Sequence, residues 1–253
     1  MGDRILNIGE GFWNIRGSFK VGGVVDIGTQ SSLVRLASGG FVLLDAYTLT
    51  GAVEREVMAL TEQGQAVEAI LNLHPFHTIH TRAAARQFPK ARLYGTARHK
   101  ARAPELSWEA PNTDSPALHA LFADDLSFTV PRGVDFISDN EGLHFASVLA
   151  FHPASRTLHV DDTLMWSTVP LMSGLVFHPT LKSVLERRPG AAADFRQWAL
   201  ELADRCGDVE QLVTAHMRKL APASSAGTPL GDRVRQALKK MEKVLAAHER
   251  RHG

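Results

Sequence analysis

The sequence predicts a layered α/β fold, two sheets packed face to face with helices outside. Two observations carry this. In the first half, apolar runs suited to strands alternate with stretches of helical period. In the second half, strand-like runs lead into an amphipathic helix and a last short strand, so both halves share an order of elements without sequence repetition. The 253 residues, 44% of them hydrophobic, supply ample material for a core.

Residues 11–16 alternate loosely and read as a strand, and residues 31–37 as a second. Ser38-Gly39-Gly40 is a turn signal, so residues 31–37 and the run Phe41-Val42-Leu43-Leu44-Asp45 form a predicted hairpin. Val53, Val57 and Leu60 share one helical face, with Thr50 as N-cap and Gly64 closing the helix. A strand over 67–73, a short helix over 81–88 ended by Pro89, and a strand over 91–95 follow. Residues 98–118 are polar and contain several prolines, and they read as a long loop, either a lid or a variable surface segment.

Later, residues 126–130 and 134–137 read as strands around Pro131-Arg132-Gly133. Residues 143–151 and 157–161 read as a hairpin of two long strands. The helix over 191–205 places Phe195, Trp198 and Leu202 on one face, and residues 211–215 form a last strand. The expected main domain is 1–222. Residues 223–253 follow as a linker and a basic amphipathic C-terminal helix with the stripe Val234, Leu238, Met241, Leu245. That stripe either docks on the body or supports self-association into a homo-oligomer.

A net charge of +1 argues against nucleic acid or an anionic membrane as partner and leaves a small-molecule substrate as the expectation. The single cysteine, Cys206, permits no intrachain disulfide and agrees with a reducing compartment. The N-terminus has no apolar signal core, and no run of about 18 apolar residues exists. The expected location is cytoplasmic.

Chemistry concentrates in the histidines. His74, His77 and His80 fall within seven residues at the end of an apolar run. On a straight helix their spacing would not converge all three. Pro75 disfavours helical geometry at His74, so a turn followed by a helix start aims at least two at one point. His144, Asp161, Asp162 and His216 sit at other predicted strand ends. Singly, a histidine at a strand end is a surface or capping residue; together, several at one edge of a layered sheet suit a metal site. Asp45 either caps its strand or orients a ligand. His99 reads as solvated, His152 as a turn residue, His159 as a surface strand residue, and His178 as a loop residue that can line a cleft. Trp13, Trp108, Trp166 and Trp198 read as core or loop anchors. There is no phosphate-cradling glycine loop, Ser-centred nucleophile elbow or CxxC pair.

These segments resemble the metallo-β-lactamase superfamily of metal-dependent hydrolases. Phe41-Val42-Leu43-Leu44-Asp45 is similar to its early strand ending in Asp, and Ala69-Ile70-Leu71-Asn72-Leu73-His74 to the strand before its His-x-His-x-Asp-His motif. His144-Phe145-Ala146-Ser147-Val148, Arg156-Thr157-Leu158-His159-Val160-Asp161-Asp162 and Val213-Thr214-Ala215-His216 resemble the later ligand segments in order and spacing. The resemblance implies a four-layer αββα sandwich. It implies His77, His80, His144, His216 and Asp162 as metal ligands, with His74 a further candidate and Asp162 the bridging, catalytic carboxylate. The implied cofactor is one or two transition-metal ions, zinc foremost, with iron or manganese compatible. The implied activity is hydrolysis of an ester, lactone, thioester or phosphoester by a metal-activated water.

The chain departs from the pattern in four places, one being Thr81-Arg82 where Gly-Gly usually follows the motif. The histidine stretch is one residue longer, so its alignment leaves two choices: His74, His77 and His80 as the three motif histidines, or His77 and His80 with Pro75 in place of the first. The motif aspartate is missing, with Thr78 and Ile79 in its neighbourhood, and Asp161 stands where glycine is usual. One well-held metal, or an unevenly bound pair, is the expectation. A non-catalytic member acting as a binding or assembly module is the rival.

Overall fold

The computed structural model describes residues 3–22, 24–168, 173–216 and 220–253. The first half builds β1 (Arg4–Gly9), β2 (Phe12–Gly17), the short pair β3 (Lys20–Val21) and β4 (Val25–Asp26), β5 (Thr29–Arg35), β6 (Phe41–Leu44), α1 (Gly51–Leu60), β7 (Val67–Leu71), α2 (Thr81–Gln87), β8 (Arg92–Gly95), α3 (Ala97–Arg102), β9 (Trp108–Asn112) and α4 (Pro116–Leu121). The second half builds β10 (Ser127–Thr129), β11 (Leu149–His152), β12 (Thr157–Val160), β13 (Leu164–Ser167), β14 (Gly174–Phe177), α5 (Leu181–Val184), α6 (Ala191–Arg205), β15 (Gln211–Thr214) and α7 (Leu230–His252).

Seven strands form one sheet in the order β1-β2-β5-β6-β7-β8-β9, and four form a second in the order β10-β11-β12-β15. Strand parity sorts the core into three layers, because successive side chains point to opposite faces. Val42, Leu44, Ala69, Leu71, Ala150 and Val213 fill the space between the sheets. Leu43 and Ile70 face outward onto Val53, Val57, Ala84 and Phe88 of α1, α2 and the α2 end. Leu149, Phe151, Leu158 and Val160 face the opposite way, onto Phe195, Trp198 and Leu202 of α6 and Val234, Leu238 and Leu245 of α7. This is the αββα sandwich, with the C-terminal helix laid on the outside of the second sheet. Arg196 of α6 bonds both Glu242 and Glu249 of α7, so charge as well as the apolar stripe fixes that packing.

Several local expectations are corrected. Residues 98–118 are not a loop: they contain most of α3, all of β9 and the first half of α4. Helix α3 has six residues and is held by a Thr96–His99 capping box rather than by an apolar stripe. Strand β9 is a half-exposed edge strand containing Pro111, a position where proline costs no ladder bond and the sequence reads polar. Residues 143–148 are not strand. Side-chain bonds from Thr163 to Ser147 and to the Phe145 carbonyl, and the Val148 amide to the Leu73 carbonyl, replace a ladder there. Residues 134–137 form only one bridge, Val134 to Leu185. The β1 strand and the β13–β14 hairpin carry no clear alternation and went unread.

Candidate metal centre

Strands β6, β7 and β8 run parallel, and so do β12 and β15. Their carboxyl ends therefore open on one edge, where loops are free of the ladders and side chains converge. Asp45 follows β6, the segment 72–80 follows β7, Asp161 and Asp162 follow β12, and His216 follows β15.

Asp45 organises the first wall. It adopts φ 61°, a left-handed conformation that Asp tolerates. Its Oδ1 accepts from the amides of Leu73 at 2.7 Å and His74 at 3.4 Å. The His77 amide then donates to the His74 carbonyl at 3.0 Å, closing the turn that Pro75 permits. His74 and His77 stack with ring centroids 4.0 Å apart.

Asp162 is the centre. His74 Nε2 lies 3.3 Å, His77 Nε2 3.6 Å and His144 Nδ1 4.0 Å from its Oδ2; His216 Nε2 lies 2.9 Å from its Oδ1. Asp162 and His74 are buried, His77 and His144 partly exposed. Three of the four separations exceed a hydrogen bond. Those of His74 and His77 come near the spacing of ligands around a shared ion, about 3.3 Å between neighbours for tetrahedral bonds of about 2.0 Å, and with Asp162 these two form a group whose ligand atoms all lie within 4.8 Å of one another.

The far side of each ring is informative. His144 Nε2 donates to the Glu141 carbonyl at 2.8 Å, and His216 Nδ1 donates to the Gly28 carbonyl at 2.9 Å. A backbone carbonyl on one ring nitrogen fixes the tautomer and leaves the other as a lone pair, the usual support of a ligating histidine. The Phe76 amide donates to His74 Nδ1 at 3.2 Å, so the neutral ring carries its proton on Nε2; a cation held there would require that proton to move to Nδ1 and the Phe76 amide to give up its bond. His74 Nε2 has no hydrogen-bond partner among the described residues.

Electrostatics follow the geometry. Burial alone raises the Asp162 carboxyl, but the neighbouring rings of His74, His216 and His77 outweigh it and hold the group well below the usual carboxylate range. Burial, reinforced by His77, pushes His74 well below the usual imidazole value, keeping it neutral. For His216, burial lowers and Asp162 raises, and Asp162 wins.

His80 stands apart from this ligand set. Its Nδ1 bonds Thr48 Oγ1 at 2.8 Å and its ring lies 4.7 Å from Tyr47, so it forms part of the wall. His77, His80, His144 and His216 line one cavity of about 120 Å³, with Phe19 and Phe76 as its apolar sides. His178 sits behind His144, its Nδ1 bonded to Thr180 Oγ1, which donates to the His144 carbonyl.

A second buried cluster was not read from the sequence. His159 is fully buried rather than a surface residue: Leu158 and Val160 pack on α6 and α7, so parity turns it inward between the sheets. Its Nε2 lies 3.1 Å from Asp45 Oδ2, and its Nδ1 lies 3.0 Å from Ser32 Oγ, which also accepts from Asn14. The chain Ser32–His159–Asp45 has the order of a nucleophilic triad, yet every member is closed off between the sheets and no substrate reaches it. Arg16 and Gln30 join this network, with Arg16 donating to the Thr214 carbonyl. The available signal was parity: Asn14 and Arg16 share a face with Phe12, and Gln30 and Ser32 with Val34, so the inner face turns polar toward one edge. His99 is likewise buried, not solvated, and burial pulls it down to about 4. His152 is buried at the end of β11 and bonds Ser155.

Among known proteins, no family model and no curated sequence matches this chain. Solved structures do. The metallo-β-lactamase FIM-1 from Pseudomonas aeruginosa, in its mono-zinc form, superposes with a TM-score of 0.58 at 13% identity, covering 95% of this chain and 96% of that one. A metallo-β-lactamase from Erythrobacter litoralis gives 0.61 at 14%, covering 94% and 96%. One from Pontibacter korlensis gives 0.56 at 16%, covering 94% and 99%. The shared property is the fold over nearly the whole chain.

Proposed function

We propose, with the metallo-β-lactamase fold as premise, that this protein is a metal-dependent hydrolase whose ion is held by His74, His77, His144, His216 and Asp162. The observation that carries the reading is the set of separations around Asp162, together with the unpartnered His74 Nε2. A buried imidazole nitrogen and a buried carboxylate left short of hydrogen bonds are costly unless something sits between them. Nitrogen ligands with one carboxylate suit zinc, with iron or manganese as alternatives. A bound ion of this kind polarises a carbonyl or phosphoryl oxygen and acidifies water at neutral pH.

The chain's own residues supply the rest. Asp162, held ionised, offsets the cation's charge. The carbonyls of Glu141 and Gly28 aim His144 and His216. Phe76, stacked 4.7 Å from His144, and Phe19, 6.4 Å from His216, exclude water from the cavity sides. Substrates of this reading are esters, lactones, thioesters or phosphoesters.

The cavity, about 120 Å³, is small beside the roughly 300–1,000 Å³ of drug-sized sites. That favours a small scissile group entering from solvent, and it keeps a metal-holding but non-catalytic protein as the second reading. Metal analysis of untagged protein tests the first step, with roughly one equivalent of transition metal expected and its loss in His144→Ala. Protein purified without metal, or His144→Ala retaining it, overturns the proposal. Metal present with no hydrolysis across ester, lactone, thioester and phosphoester probes selects the second reading.

A further inference from the structure

His77 and Asp161 are two incomplete groups that face each other. Each other ring around Asp162 has its distal nitrogen engaged: His144 by the Glu141 carbonyl, His216 by the Gly28 carbonyl, His74 by the Phe76 amide. The His77 distal nitrogen, Nδ1, makes no hydrogen bond among the described residues. Opposite it, at 3.8 Å, lies Asp161 Oδ1. Asp161 is 1% exposed, and neither of its oxygens has a hydrogen-bond partner of ordinary geometry. Asp45 and Gln30 are its near side-chain neighbours, and each also serves another group: Gln30 donates to the Val160 carbonyl at 2.9 Å, and Asp45 holds the Leu73 amide and His159.

A buried carboxylate without donors is among the costliest loose ends a protein carries. The gap is about 1 Å longer than a charge-assisted bond. His77 is 22% exposed at the cavity mouth, while Asp161 is fixed in the chain beside Asp162, so His77 is the member free to move. Drawing His77 Nε2 onto an ion beside Asp162 leaves Nδ1 to carry the proton, and the acceptor opposite that nitrogen is Asp161 Oδ1.

We infer that Asp161 is the positioning carboxylate of His77, completing a carboxylate–histidine–metal line in which His77 bonds the ion through Nε2 and donates to Asp161 through Nδ1. The inference rests on the metal-site reading above and adds a residue that reading leaves idle. Asp161 acts through His77 and does not touch substrate. It also assigns His77 a support of a different kind from that of His144 and His216, a charged group in place of a carbonyl, which raises the basicity of this ligand above theirs.

The test is metal affinity by chelator competition, with the absorption spectrum of the cobalt-loaded protein as a second readout. Asp161→Asn is expected to weaken binding 10- to 100-fold and to alter the cobalt spectrum. His77→Ala is expected to weaken it comparably, and Asp161→Asn added to His77→Ala to cost nothing more, because the partner is already gone. Where Asp161→Asn does not fold, Asp161→Gly, which removes the buried carboxylate altogether, carries the same cycle. Affinity and spectrum unchanged in the Asp161 variant, or losses that multiply in the double variant, overturn the inference while leaving the metal site intact. Wild-type protein that binds no metal overturns both.

Discussion

Two clusters of histidine and aspartate lie side by side in this molecule, built from the same residue types and sharing Asp45 as a boundary stone. In the closed one, between the sheets, Ser32, His159 and Asp45 meet at 3.0 and 3.1 Å and Asn14 completes the line. In the open one, at the sheet edge, His74, His77 and His144 stand 3.3–4.0 Å from Asp162. In the first, Ser32, His159 and Asp45 bond one another; in the second, His74 Nε2 has no hydrogen-bond partner among the described residues. Residue type does not separate a structural cluster from a functional one here, whereas the state of its hydrogen bonds does.

Three measurements break or sharpen that contrast. The largest effect is expected at the boundary. Asp45→Ala strips the Leu73 amide and His159 of their acceptor and places alanine at a left-handed φ. The expected loss is about 3–5 kcal/mol of unfolding free energy in urea, the scale of breaking a buried pair, and a loss under 1 kcal/mol would show that the closed cluster holds nothing together.

Next comes pH. Burial keeps His99 neutral in the folded chain down to about pH 4, while the unfolded chain protonates near its ordinary value of 6.5. The unfolded state therefore binds more protons below 6.5, so this contribution is full above that pH and is lost as pH falls toward 4. From pH 7.5 to 5 the loss from this group is about 2 kcal/mol. Chemical denaturation of wild type and His99→Gln at both pH values measures it, and an equal pH dependence in the two proteins contradicts the assignment.

The smallest effect separates the clusters most cleanly. Ser32→Ala is expected to cost about 1 kcal/mol of stability and to leave metal content and any hydrolytic rate unchanged. A rate that collapses in this variant makes Ser32 a nucleophile and reverses the roles of the two clusters.

The ligand segments were legible because each sits at the end of an apolar run, and β6, β7, β12 and β15 do end there. His144 was legible for a weaker reason, since residues 143–148 resemble a strand and are not one. The closed cluster was misread because His159 was assigned to a sheet with a wet face, while both faces of β12 are covered. Residues 98–118 were misread because a capping box and a proline-bearing edge strand leave no periodic apolar signature.

By itself the sequence determined the layering, because alternation and helical period are local and each strand must hide its apolar face. It also determined which residue types crowd the strand ends. Only the tertiary structure decided which of them meet. Convergence on Asp162 depends on two sheets opening on a common edge. The engagement of each ring nitrogen depends on groups as far away along the chain as Gly28 is from His216. Distances of that kind are set by packing between layers, and no periodicity within one segment encodes them.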